Sequence, residues 1–204
     1  MEIDESTFLR FWIKAECRRQ LGTISFNSNK LIADIVDRHA PAFAEVSDIT
    51  WHVLEDRMRW FRSGMLRNLL QLPDIRFFDL RITAEDLANR FRDCWKEPGD
   101  TMAEFARKNP DYGTKETVGK THLLAVSDPV GRRVFLIEGY NRACALIRND
   151  PTRRSIRLGL AIVPRLSAWE RCPAQFAIDC AVCGAPDSNE ECAACAAPAA
   201  REDD

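Results

Sequence analysis

Two apolar runs, THLLAV (121–126) and RRVFLIEG (132–139), are joined by SDPVG and followed at once by YNRACALIR (140–148), which reads as a short helix. A turn carrying proline and glycine between two short apolar runs predicts a β-hairpin. The second strand then ends in Glu138-Gly139 and passes directly into the helix. A chain that must make this hairpin and this abrupt strand-to-helix bend has few ways to arrange the rest of its middle.

The flanking segments alternate in period. Phe8, Phe11, Trp12 and Ala15 recur at helical spacing; Ser28 is placed to cap a helix carrying Leu31, Ile32, Ile35 and Val36, which Pro41 stops. Leu54, Met58, Phe61, Met65 and Leu69 form the stripe of a longer helix, with arginines among the intervening positions. After Pro73 the period changes: IRFFDLRI (75–82) reads as a strand, and TAEDLANRFRDCW (83–95) as a helix with a capping box at Thr83 and Asp86. A short helix at MAEFARK, a strand at SIRLGLAIV (155–163) and a last helix over 169–178 complete the reading. The expected class is α+β. Its divisions are a helical N-terminal region (1–72), an α+β domain (73–171) and a cysteine-rich tail (172–204).

Composition bears on location and partners. No apolar run approaches the ~18 residues that span a bilayer, and the opening MEIDESTFLR is acidic where a secretory leader is basic, so a cytoplasmic protein without a membrane partner is expected. From Cys172 onward seven acids face Arg201 alone, a charge of −6, which leaves +4 for the remainder of a chain whose net charge is −2. Between Arg132 and Arg171 nine arginines are opposed only by Glu138, Asp150 and Glu170. Such a field suits a polyanion, from a nucleotide to a nucleic acid, and is equally the appearance of a solvated arginine-rich surface.

The bend at residues 138–142 gathers the chemistry. Gly139 lets the chain turn without a Cβ, and the helix start offers free N–H groups to an anion. Arg142 can present its planar guanidinium to the same anion, and Asn141 adds an amide. Glu138 is placed either to hold a divalent metal beside phosphate oxygens or to accept a proton from an attacking hydroxyl, the candidate catalytic role. The competing reading is a structural salt bridge between Glu138 and Arg142 across the turn. GTKETVGKT (113–121) imitates a phosphate-binding loop, but one residue too many separates Gly113 from Gly119, and the stretch does not follow a strand.

IEGYNRACAL resembles the G-x-x-R-x-x-A turn of the ParB/sulfiredoxin-like fold, with Gly139, Arg142 and Ala145 at matching positions. Over roughly Ile75 to Val163 the order of elements is similar as well. The resemblance implies a mixed sheet with helices and a nucleotide whose phosphate meets Gly139 and Arg142; the residue reading adds Asn141 to that contact and magnesium to the nucleotide. A phosphotransferase or nucleotide-hydrolase role follows for Glu138. Sulfiredoxins carry their catalytic cysteine directly after the glycine; Tyr140 stands there, so peroxiredoxin repair is not expected. No arginine directly precedes Arg142, which sets the chain apart from the CTP-dependent clamps.

The tail holds Cys180, Cys183, Cys192 and Cys195, two C-x₂-C pairs able to close a tetrahedron around a structural zinc; a redox dithiol or idle cysteines are the other readings. With the basic body, a zinc knuckle also admits a non-enzymatic adaptor or regulator that binds nucleic acid or a protein partner. Cys17, Cys94, Cys144 and Cys172 read as small buried hydrophobes, and His39, His52 and His122 lack a partner at metal or triad spacing.

Overall fold

The computed structural model describes residues 1–20, 52, 55–56, 68–113 and 122–173. Among them are strands β1 (Glu2–Ile3), β2 (Arg76–Ile82), β3 (Phe91–Asp93), β4 (Leu123–Ser127), β5 (Val134–Glu138) and β6 (Ile156–Ile162). The helices are α1 (Glu5–Gln20), α2 (Asn68–Gln71), α3 (Ala84–Arg90), α4 (Met102–Lys108) and α5 (Tyr140–Asn149), followed by a 3-10 turn at Leu166–Ala168. The strands form one mixed sheet in the order β1-β2-β6-β4-β5-β3. β1–β2, β2–β6 and β4–β5 run antiparallel; β4–β6 and β3–β5 run parallel.

Alternation along the central strands divides the core into two layers. Leu124 and Val126 of β4 and Phe135 and Ile137 of β5 point toward α1, where Phe8, Leu9, Trp12 and Ile13 meet them. Leu123, Ala125, Val134 and Leu136 point the other way, toward Leu87 of α3, Met102 and Phe105 of α4, and Ala143, Cys144 and Leu146 of α5. Each buried side chain of this size contributes about 1.5–3 kcal/mol, so the apolar β4–β5 pair, covered on both faces, anchors the domain. The opening of the chain joins this core directly: β1 extends the sheet at β2, and α1 lies on one face.

The hairpin expected from SDPVG is present, with Val126 opposite Phe135 and Ser127 opposite Val134. Its turn is held from inside by Asp128, whose carboxylate accepts bonds from Val130 N (3.0 Å), Arg132 N (3.1 Å), Arg133 N (2.8 Å) and Arg133 Nε (3.1 Å). Both capping boxes also form, Thr83 with Asp86 on α3 and Thr101 with Glu104 on α4.

Two expectations need correction. The helix read through Trp95 stops at Arg90, and Phe91–Asp93 instead becomes β3, because their backbone pairs with Val134–Leu136 of β5. The last helix does not begin at Trp169: residues 169–172 are bends and turns. Trp169 is buried with Phe135, ring centroids 6.2 Å apart, so its aromatic surface is used as core rather than as a helix face. The helix expected after Ser28, most of the Leu54–Leu69 stripe and the rest of the last helix lie outside the described residues; Leu69 itself is buried in α2.

Candidate functional site

Near the end of β5 the pairing with β4 shifts register, so that Leu136 faces Ala125 while Glu138 faces Leu124, leaving Ile137 as an extra residue. Such a bulge bends the strand and re-aims the side chain that follows. Gly139 comes next, at φ +101° and ψ 22°, and its carbonyl accepts the first helical bond of α5 from Ala143 N at 2.8 Å. A Cβ at Gly139 would stand 2.5 Å from Leu123 Cδ2 and 2.9 Å from Arg142 Nη2. Glycine is therefore required twice over, by the left-handed backbone and by the neighbours that fold onto it.

Those neighbours include the arginine expected at this point. The Arg142 guanidinium lies against the Gly139 turn with Nη2 3.8 Å from Glu138 Oε1, and the two side chains are only 11% and 14% exposed. Glu138, Gly139 and Arg142 are thus together, in the salt-bridged arrangement that was the competing reading. Asn141 points elsewhere: its Oδ1 accepts from Gly113 N at 3.2 Å, tying the stretch before β4 to the first turn of α5. Of GTKETVGKT, only Gly113 lies among the described residues.

Tyr140, the first residue of α5, points inward. Its hydroxyl stands 2.8 Å from Asp93 Oδ1 and 2.6 Å from the Leu136 carbonyl, and burial pushes its pKa far above the phenolic range. Asp93, fully buried, also accepts from the amides of Trp95, Lys96 and Glu97. Tyr140 therefore pins the start of α5 to the loop after β3 as a neutral hydrogen-bonding group. The thiols beneath it are equally inert: burial pushes Cys94 up to about 12 and Cys144 up to about 11, leaving negligible thiolate near neutrality. Cys172 is half-buried, and the side chain of Cys17 lies outside the described residues.

Sequence reasoning also missed the partners of His122. His122, just before β4, places Nε2 3.1 Å from Asp79 Oδ1 of β2 and stacks on Phe11 of α1, centroids 3.6 Å apart and planes 6° from parallel. Burial lowers its pKa, against the pull of Asp79, and Arg157 and Arg81 lower it further. The two partners are 43 residues apart, so no local spacing announces them. Among the described residues no three His, Cys, Asp or Glu side chains gather as a metal site. Cys180, Cys183, Cys192 and Cys195 lie outside those residues.

No helix among the described residues is long and apolar enough to cross a membrane. In comparisons with known proteins, no family model, no curated protein and no solved structure matches the chain.

Proposed function

We propose that the chain binds the phosphates of a nucleotide at the turn Glu138–Arg142, in the manner that its resemblance to the ParB/sulfiredoxin-like fold implies. One observation carries the reading: a guanidinium lies over a left-handed glycine that starts a ten-residue helix with no side-chain cap. The helix start supplies N–H groups and a partial positive charge, and the guanidinium supplies two parallel donors, in a setting where the Arg142 and Glu138 side chains are only 11% and 14% exposed and charge–charge terms are less screened than at the open surface. In this reading Arg142 turns from Glu138 to the phosphate, and Glu138 is left beside the phosphate oxygens. Magnesium bound with the nucleotide would neutralise phosphate charge there. Glu138 is also the carboxylate positioned to take a proton from an attacking hydroxyl, which makes phosphotransfer or hydrolysis the reaction class.

Calorimetry with ATP, CTP and GTP in magnesium is expected to find one that binds the native chain, with Arg142→Ala weakening it roughly tenfold or more, the effect of one lost charge-assisted hydrogen bond. Silence from all three, or undiminished binding by the variant, refutes the proposal.

The 3.8 Å ion pair also favours a second reading, in which the turn is structural and the chain is an adaptor or regulator. There the working part is a zinc knuckle at Cys180, Cys183, Cys192 and Cys195, a proposal that rests on ligand spacing. Elemental analysis of unchelated protein is expected to give about one zinc per chain; less than about half an equivalent rules the knuckle out.

A further inference from the structure

The same end of the sheet carries a second basic group on its opposite, α1-covered face. Arg81 of β2 and Arg157 of β6 are direct cross-strand partners. They share a face with Phe77 and Ala161, residues of the core beneath α1. In the parallel β4–β6 pair Leu123 faces Leu158, so His122, one residue earlier, continues the row beside Arg157. Gly159 lies under α1 and β4: a Cβ there would meet Leu124 Cδ2 at 2.7 Å, Phe11 Cδ2 at 3.1 Å and Phe8 Cδ2 at 3.4 Å, whereas Arg157, one pleat farther out, is exposed, as is Arg81.

Two like charges placed directly opposite across a strand pair repel and cost stability unless something sits between them. Among the described residues no carboxylate comes within ion-pair distance of either guanidinium. The nearby acid, Asp79, faces Gly159 in the register and is engaged by the His122 ring. The cluster is therefore two exposed guanidinium forks in one cross-strand row with an imidazole that stacks on Phe11 and is held by Asp79.

We infer that Arg81, Arg157 and His122 form an anion site for the phosphate group of a small molecule, separate from the turn at Gly139. A carboxylate offers two oxygens and is saturated by one fork; two forks and an imidazole N–H match the larger set of acceptors on a dianionic phosphate. Both phosphate and the two guanidiniums face His122, together with Asp79 from β2 and the Phe11 ring from α1. Bound anion therefore favours the imidazolium and raises the His122 pKa.

The test follows the His122 ring by proton NMR in the full-length chain while inorganic phosphate, glycerol phosphate, acetate or a short single-stranded oligonucleotide is added. Phosphate or its monoester is expected to shift the His122 titration upward in pH at low-millimolar levels or better, with acetate at least about tenfold weaker. Arg81→Ala and Arg157→Ala each weaken the response roughly tenfold or more, and Arg157→Lys, which keeps charge but loses the fork, falls between. Arg132→Ala, at the far hairpin turn, and Arg142→Ala leave it unchanged; loss on Arg142→Ala would instead assign the anion to the Gly139 turn. The arginines are exposed, so the variants fold, and a wild-type fold is checked by the remaining resonances. No shift up to about 50 mM phosphate, an undiminished wild-type response in Arg81→Ala or Arg157→Ala, or a response to the oligonucleotide alone overturns the inference.

Discussion

Asp128→Ala is expected to lower the free energy of unfolding by about 3–5 kcal/mol, the usual cost of removing one partner from a buried ion pair. Asp128 is fully buried, and the Arg133 side chain that it meets is 5% exposed. Alanine leaves the Arg133 guanidinium inside the protein with a partner missing and strips acceptors from the amides of Val130, Arg132 and Arg133. Water cannot replace those bonds without opening the hairpin. The loss should appear as a lower urea midpoint with unchanged slope, since the denatured state is unaltered. A second variant, Asp128→Ala combined with Arg133→Met, should recover part of the loss, because the buried guanidinium that lost Asp128 is then gone. A single-variant loss below about 1 kcal/mol would mean that the pair is hydrated and that this account of the turn is wrong. The consequence extends toward the site, because the β4–β5 register set at this turn holds through Ala125 and Leu136, where the bulge at Ile137 then brings Glu138 opposite Leu124.

The second large effect is expected at Gly113. Its φ is +81°, and a Cβ there would stand 2.6 Å from Ala145 N, 3.0 Å from Cys144 C and 3.1 Å from Ala145 Cα. All three atoms are backbone of α5, so no rotamer change relieves the contact. Left-handed strain of about 1–2 kcal/mol and overpacking of about 1–3 kcal/mol place Gly113→Ala at roughly 2–5 kcal/mol. Gly131→Ala is the internal control: its φ is +69°, but the nearest atom to its added Cβ is Arg90 Nη2 at 3.8 Å. It should lose only the strain, about 1–2 kcal/mol. Equal losses in the two variants, measured by thermal unfolding at matched pH, would show that the close approach to α5 contributes nothing. Gly113→Ala also disturbs the Gly113 N to Asn141 Oδ1 bond, so it should weaken any ligand held at the start of α5.

Several features were legible because their physics is local. A capping box needs only a hydroxyl and a carboxylate three residues apart, and Thr83 with Asp86 closed as written. The hairpin follows from a turn that pairs the runs on either side of it. Gly139 and Arg142 come together because a bend and one helical turn separate them, and Glu138 joins through i,i+4 spacing. Asn141 shows the limit: position alone put it beside the turn, yet its amide is taken by Gly113.

The chain's own periodicity and capping residues therefore decided that this is an α+β protein with a glycine bend after its central hairpin. Other outcomes required distant partners. Phe91–Asp93 continue a helical pattern, but a free edge on β5 offers them backbone hydrogen bonds that a lengthened α3 would forgo. His122 finds Asp79, and Arg81 finds Arg157, only because strands far apart in the chain are neighbours in the sheet. Side-chain spacing along a strand or helix is set by backbone geometry within a few residues, whereas strand order is chosen by the burial of both sheet faces at once, and no short window of sequence contains that choice.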